Sequence, residues 1–517
     1  MKRKLLIKIG FPVLLSGLLV VSCTDLEIEA TDSIITDQAQ GIFNGVENVE
    51  ASLNNLYNDI YGQLGDQANF FALNEVSTDE TLVPTRGTDW GDNGIWRTLH
   101  AHTWSPTHQY ILNTWNNLNQ NVFRATEIID DRSSPSAQEK AEAQFLRAFS
   151  MFFVMDMWGQ APFREADEGA DVNPTVFSAS EAYDFILQDL TEAIPNLPVT
   201  GPSADTDRAS RAAGNFLMAK LRLNAHRYKG TDTPDSADLQ AVIDAVDAIE
   251  ADGFALQAGY FDLFTESVDN ETIWFARTSV GNRIWNGMHY NQVSPDNTGG
   301  GWNGFTTLAE FYDTFEGAPN SNYVGDGQEE RRGWVPDATN ADATNLGIGY
   351  GFLINQQYNV NGDPLNDRPG DPLIFTKELP GLSGNSERTG VRIIKYHPVN
   401  GAFASHEIVF RFADAHLMKA EAMMRMGGDA TGMVNTLRAL RNASALGSVN
   451  ETNLLEERGR ELYYEFWRRN DMLRFGQFTR AWEFKDPASV GDSTRELYPI
   501  PPNALLSNPN LVQNPGY

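Results

Sequence analysis

Two segments carry aromatic side chains where little else would cover them. Residues 85–96 read TRGTDWGDNGIW and set Trp90 and Trp96 among Gly, Asp and Asn. Residues 284–290 read IWNGMHY and residues 299–304 read GGGWNG, which puts Trp285, Tyr290 and Trp302 in similar company. Small neighbours leave an indole face open. Such a face attracts C–H groups, while nearby amides, carboxylates and guanidiniums supply hydrogen bonds. A sugar ring offers the complement, with C–H groups on one face and hydroxyls around its rim. The pattern therefore points to carbohydrate recognition. Trp90, Trp96, Trp285, Trp302 and Tyr290 are the candidate platforms, with Arg86 and Asn93 as polar partners. Trp334, just after Glu329-Glu330-Arg331-Arg332, is a further candidate. Several platforms in an arc would suit a polymer better than a monosaccharide. Each loop tryptophan could equally pack the loop it stands in. Trp104, Trp115, Trp158, Trp274, Trp467 and Trp482 sit in or beside periodic segments and belong to the core.

Other chemistry finds little support. His100, His102 and His108 match no standard zinc spacing, and no second cysteine exists to complete a site. They read as ordinary histidines, and no metal or other cofactor is expected. Asp363, Asp367 and Asp371 only loosely resemble a calcium loop and lack the EF-hand order. Asp79 and Glu80 are adjacent in the chain, and adjacent carboxylates rarely flank one glycosidic bond. No Gly-x-Ser-x-Gly, Walker or dinucleotide fingerprint is present. The expectation is a binding protein without catalytic residues.

These loops must be held by something, and the flanking sequence supplies helices. A 3.6-residue apolar period predicts helices over 43–64, 107–129, 136–158, 180–194, 210–228, 236–251, 412–426 and 431–445. Ser178 or Ser180 can cap the fourth, with Glu181 in its first turn. The pairing of successive helices, with alanines at the crossings, suggests tetratricopeptide-like packing with degenerate repeats, and taken alone it predicts a mainly α helical solenoid or bundle. Residues 65–105 read as loop. From 266 to 406 Gly, Asn, Asp and Pro dominate, and periodicity is lost apart from a short helix at 306–315 and strands at 273–276, 373–376 and 391–396. So long a stretch without regular structure either binds something or is disordered, and its aromatics favour order. It reads as a loop-rich subdomain inserted on the scaffold. Near the end, EERGRELYYEFWRRNDMLRFGQF (456–478) reads as one helix stopped by Gly476. Glu461 and Glu465 would pair with Arg468 and Arg469 along its face, so none of these carboxylates is a catalytic acid.

The opening MKRKLLIKIGFPVLLSGLLVVSC has a basic start, an apolar run and Cys23, the one cysteine among 517 residues. It reads as a signal peptide over 1–22 followed by lipidation of Cys23, with 23–42 as a tether. Removing 1–22, which holds four cations and no acid, takes the net charge from -30 to -34. A surface this acidic repels nucleic acid and polyanionic polymers, which favours neutral ligands.

ERGRELYYEFWRRNDMLRFGQF and the closing LYPIPPNALLSNPNLVQNPGY together resemble the C-terminal signature of the SusD/RagB family, lipid-anchored nutrient-binding proteins of Bacteroidetes-type bacteria. The resemblance implies four tetratricopeptide-like helix pairs over 43–265 and 407–517, with residues 252–265 closing the third pair. It implies a shallow ligand site built from the loop after the first helix and from the variable region. The acidic residues after Cys23 resemble a surface-export tag. A SusC-like TonB-dependent transporter in the outer membrane is the implied partner, and oligo- or polysaccharide, in particular a neutral glucan, the implied ligand. Peptides, as in RagB-like members, are the alternative ligand, and a surface glycoside hydrolase is the enzymatic alternative.

Overall fold

The computed structural model describes residues 43–169, 171–292, 300–341, 345–399 and 405–517. The expected signal peptide, Cys23, the tether and Gly299 lie outside the described residues. Sixteen α-helices stand among those described. The first eight are α1 (Val49–Gly65), α2 (Asn69–Glu75), α3 (Ile95–His100), α4 (Gln109–Ile129), α5 (Ala137–Trp158), α6 (Ala179–Ala193), α7 (Arg211–Leu223) and α8 (Ala225–Tyr228). The others are α9 (Ser236–Ala251), α10 (Gly281–Gly287), α11 (Ala309–Tyr312), α12 (Phe412–Arg425), α13 (Thr431–Leu440), α14 (Glu451–Leu462), α15 (Arg468–Arg474) and α16 (Pro502–Ser507).

Local signals set the helix ends. Ser136 and Glu139 form a reciprocal capping box at the start of α5, and Ser178 and Glu181 form another at α6. Gly159, at φ 69°, ends α5 in the left-handed conformation that glycine tolerates. Long helices neighbour one another in chain order. α1 packs on α4, α4 on α5, α5 on α6, α6 on α7, α7 on α9, and α9 on α12, which carries α13 and α14. This serial packing of helix pairs is the expected tetratricopeptide-like scaffold. α5 lies at its centre and is buried from Ala141 onward, on every face. Phe145 and Phe149 meet Trp274 edge-on, and Phe153 meets Trp467.

The apolar core continues without a break into the loop-rich stretch, through Phe305, Phe352 and Ile394. Short antiparallel ladders stitch that stretch down. Thr272–Ala276 pairs with Glu407–Arg411, and Gly333–Trp334, Tyr350–Leu353 and Arg392–Ile394 form a three-stranded sheet. Residues 306–315 are not one helix. Thr306–Thr307 pairs with Thr81–Leu82, and only Ala309–Tyr312 is helical. Residues 65–105 are likewise more ordered than their composition implies, because α2 and α3 stand there and residues 70–84 are buried.

The densely charged segment is not one helix either. α14 ends at Leu462, and Tyr464 and Phe466 take left-handed backbone at φ 62° and 73° before α15 begins. Each such residue costs about 1–2 kcal/mol. Burial offsets this. The Tyr464 hydroxyl lies 3.0 Å from Thr81 Oγ1, its N–H donates to Glu80 Oε1 at 2.6 Å, and the Phe466 ring packs on Phe70 and Phe71. The reversal sends the charges inward, so the expected pairs along one helix face do not form. Glu461 instead accepts from Arg411 at 2.7 Å, Arg441 at 2.9 Å and Arg331 at 3.1 Å. Glu465 pairs with Arg411 and Lys395, Arg468 with Asp79 at 2.7 Å, and Arg469 with Asp156 at 2.7 Å. All these side chains are buried, where an ion persists only if paired and hydrogen-bonded. The segment is thus an internal clamp. Through Arg331 and Lys395 it holds the loop-rich stretch, and through Asp414 and Arg438 it reaches α12 and α13.

Candidate functional site

α10 positions the first indole. Gly287 sits so close to the strand Arg392–Ile394 that a Cβ would meet the Ile393 carbonyl oxygen at 2.2 Å. Only glycine lets the helix lie there, and Trp285 is carried half-buried on it. The returning chain is pinned to the same helix. Trp302 N–H donates to the Trp285 carbonyl at 2.6 Å, Asn303 N–H to Met288 at 2.8 Å and Gly304 N–H to Asn286 at 3.1 Å. These bonds bring the rings of Trp285 and Trp302 together, with centroids 5.5 Å apart and planes inclined by 32°. Trp90 joins from the other segment. Its Nε1–H donates to the Trp302 carbonyl at 2.8 Å, and its ring lies over Gly304, where a Cβ would meet it at 2.3 Å. Trp302 is 37% exposed, while Trp90 and Trp285 are half-buried beside it.

A charged network flanks the indoles. The Tyr290 hydroxyl donates to Asp89 Oδ2 at 2.9 Å, and Arg368 bridges Asp89 at 2.5 Å to Glu387. The Arg368 guanidinium also lies over the Tyr290 ring, 3.9 Å from its centroid. His289 Nδ1 accepts from Asn291 N–H at 3.1 Å, which leaves Nε2–H to donate to Glu387 at 2.9 Å. Burial pushes the His289 pKa down to about 4 against the pull of Glu387, so the ring is neutral near pH 7. The hydrogen bond from Arg368 holds the Asp89 carboxyl below its usual range. Burial works to raise Glu387, but the Arg368 backbone N–H, its guanidinium and His289 outweigh this and hold it low as well. Both carboxylates are therefore ionised acceptors.

Trp90, Trp285, Trp302 and Tyr290 are thus brought together from residues far apart in the chain. Trp96 and Arg86 are not open to a ligand. Trp96 is only 2% exposed, enclosed by Phe305 and Tyr110, and its Nε1–H is spent on Asp92 at 3.1 Å. Arg86 is buried and donates to the carbonyls of Ser386 at 2.9 Å and Thr389 at 2.7 Å, holding the 85–90 loop against 385–389. Asn93 is exposed at φ 51° in the turn before α3, outside the network just described. Trp334 stands apart from these indoles, on the sheet edge formed by Gly333–Trp334. Sequence reasoning missed Asp89, His289, Arg368 and Glu387 as members of the site. Arg368 could have been flagged, since it stands in the turn-rich NDRPGD, but nothing local names Asp89, 279 residues away, as its partner.

The remaining candidates are occupied elsewhere. His100, His102 and His108 each bond a backbone carbonyl, of Glu483 at 2.8 Å, Ser77 at 2.7 Å and Ile95 at 3.0 Å. Asp367 and Asp371 pair with Arg388, and Asp79 pairs with Arg468 and Arg480.

A stack of helix pairs carrying a loop-built aromatic face defines a tetratricopeptide-like scaffold with a surface site. The model of the SusD family matches residues 270–517, and one described as "Starch-binding associating with outer membrane" matches residues 33–223. The chain belongs to the SusD/RagB family. It is 27% identical over 502 residues to the starch-binding protein SusD of Bacteroides thetaiotaomicron, spanning 88% of this chain and 86% of that one. Among solved structures it resembles a laminarin-binding SusD-like protein, with TM-score 0.64 and 20% identity over 92% of this chain and 100% of that one. It also resembles surface glycan-binding protein A from Bacteroides fluxus, with TM-score 0.65 and 19% identity over 92% of this chain and 100% of that one.

Proposed function

We propose that this protein is a lipid-anchored, cell-surface glycan-binding protein. It captures a neutral oligo- or polysaccharide, in particular a glucan, and delivers it to a SusC-like TonB-dependent transporter in the outer membrane. The observation that carries the reading is the exposed Trp302 ring, paired at 5.5 Å with Trp285 beside a rim of ionised acceptors and a half-exposed guanidinium. The indoles take the C–H face of a sugar, and Asp89, Tyr290 and Arg368 take hydroxyls. The net charge of -30 opposes polyanionic ligands. Starch and laminarin, named for two of the relatives, are both uncharged glucose polymers. Membrane attachment is assigned to lipidation of Cys23.

The same network supports binding without cleavage. A glycosidase needs one carboxyl protonated to act as acid. Asp89 and Glu387 are both held ionised by Arg368, so neither can fill that role. Affinity electrophoresis in starch or laminarin gels tests the proposal. Wild-type protein should be retarded, and Trp302→Ala should lose about 1–3 kcal/mol of binding, as aromatic hot spots do. Its melting temperature should hardly change. Binding of oligopeptides instead of both glucans, or release of reducing sugar from either, would overturn the reading.

A further inference from the structure

A second cleft, of about 540 Å³, opens where the 324–334 segment meets α13. One wall is aromatic. Tyr350 lies at its centre, with the Trp334 ring 5.8 Å away edge-on and the Phe261 ring 5.3 Å away on another side. Trp334, Phe261 and Tyr350 are all half-buried, as Trp90 and Trp285 are. Gly325 and Gly327 take left-handed backbone at φ 96° and 74°, and nothing lies within 4 Å of where their Cβ atoms would stand, so the rim on that side is low. The exposed Asn442 adds an amide to the lining.

The lining also holds unsatisfied acceptors. Glu329 is fully buried, and its Oε2 is engaged by Arg331, while its Oε1 has no hydrogen-bond partner among the described residues. Glu330 Oε1 accepts from Tyr260 N–H at 2.9 Å, and its buried Oε2 has no partner either. Both oxygens are closed off from the cleft, so the surface it offers a ligand is the aromatic wall, the Asn442 amide and the low glycine rim. Carboxylates in the lining repel anions. Flat rings with polar groups beside them are also the kind of lining assigned to sugar binding at Trp302.

We infer that this cleft is a second glycan-binding subsite, for another stretch of the same neutral polymer, with Trp334 as its stacking platform. The inference rests on the proposed glycan-binding function. The two sites flank one small sheet. Trp334 is on the edge strand Gly333–Trp334, and the α10 helix that carries Trp285 packs against the opposite edge strand, Arg392–Ile394. Two strand spacings and one packing distance separate them by roughly 20 Å. A polymer can span that distance and gain avidity, whereas a short oligosaccharide occupies each site independently.

The test uses starch and laminarin as polymers in affinity gels, and their purified trisaccharides, too short to bridge the two sites, in calorimetry, with full-length mature protein. Trp334→Ala should weaken polymer retention by about tenfold. It should also lower the stoichiometry for the bound trisaccharide from two per chain to one. Val324→Arg, a change at an exposed residue of the lining, should block the cleft and do the same without touching the aromatic wall. Unchanged stoichiometry and retention in both variants, while Trp302→Ala still impairs binding, would overturn the second subsite and leave the proposed function standing. Failure of the wild-type protein to bind either glucan would overturn both.

Discussion

Replacing Glu461 by Gln keeps the shape of the side chain and removes its charge. The carboxylate is wholly buried and faces the guanidiniums of Arg331, Arg411 and Arg441. An amide there presents at most one acceptor and turns its own N–H donors toward cations. Removing one partner of a buried ion pair costs about 3–5 kcal/mol, against a total stability of roughly 5–15 kcal/mol. At about 1 °C per kcal/mol for a chain of this length, whose unfolding entropy is about 2 cal/mol/K per residue, the variant should melt roughly 4 °C lower. Because Arg331 belongs to the loop-rich stretch, hydrogen exchange at 329–332 and 407–411 should accelerate more than exchange in α4 and α5. The change has a pH signature as well. Burial works to raise the Glu461 pKa, but Arg441, Arg411 and Arg331 outweigh it and hold it well below the usual carboxylate range. Its contribution is therefore present above the unfolded carboxyl pKa and is lost as pH falls toward the native one. Urea unfolding from pH 7 to pH 3 should show a shallower acid-side fall in Glu461→Gln than in wild type. A stability loss under about 1 kcal/mol, with exchange at Arg331 unchanged, would refute the view that the charged segment clamps the fold.

Glu75 and Glu80 meet in the core with no exposure, and burial raises both carboxyls, Glu80 to about 7. The native state then holds protons the unfolded chain has released, so stability falls as pH rises from about 4.5 to about 7. Glu80→Gln should flatten the difference between urea midpoints at pH 5 and pH 8. A difference as steep as in wild type would show that the pair does not drive it. Arg86→Ala should lower the melting temperature, because it removes a buried side chain and its charge-assisted hydrogen bonds to the carbonyls of Ser386 and Thr389. It should weaken glucan binding only through the loosened 85–90 loop. Loss of binding with an unchanged melting temperature would instead make Arg86 a direct ligand partner.

What could be read from the sequence was local. Capping residues and the apolar period placed α5 and α6 to within two residues, because both signals act over a few positions of chain. The break at Tyr464 was not legible. Its left-handed backbone is stabilised by Thr81 and Glu80, nearly four hundred residues earlier. That each charged residue of this segment would be held by a counter-ion could be anticipated from composition, but not which ones. The site divides along the same line. Trp96 and Trp302 stand in almost interchangeable surroundings of Gly, Asn and Asp. What separates them is Phe305 and Tyr110, which close over the first ring and leave the second open. The segment that makes the family recognisable is spent on clamping the core, whereas the indoles and the Asp89–Arg368 pair stand on loops that clamp holds in place. Under the proposed function, ligand identity is carried by residues with no local signature. A comparison of relatives that bind different glycans should find differences at the positions of Asp89, Tyr290, Trp302 and Arg368 rather than at Arg411 or Glu461.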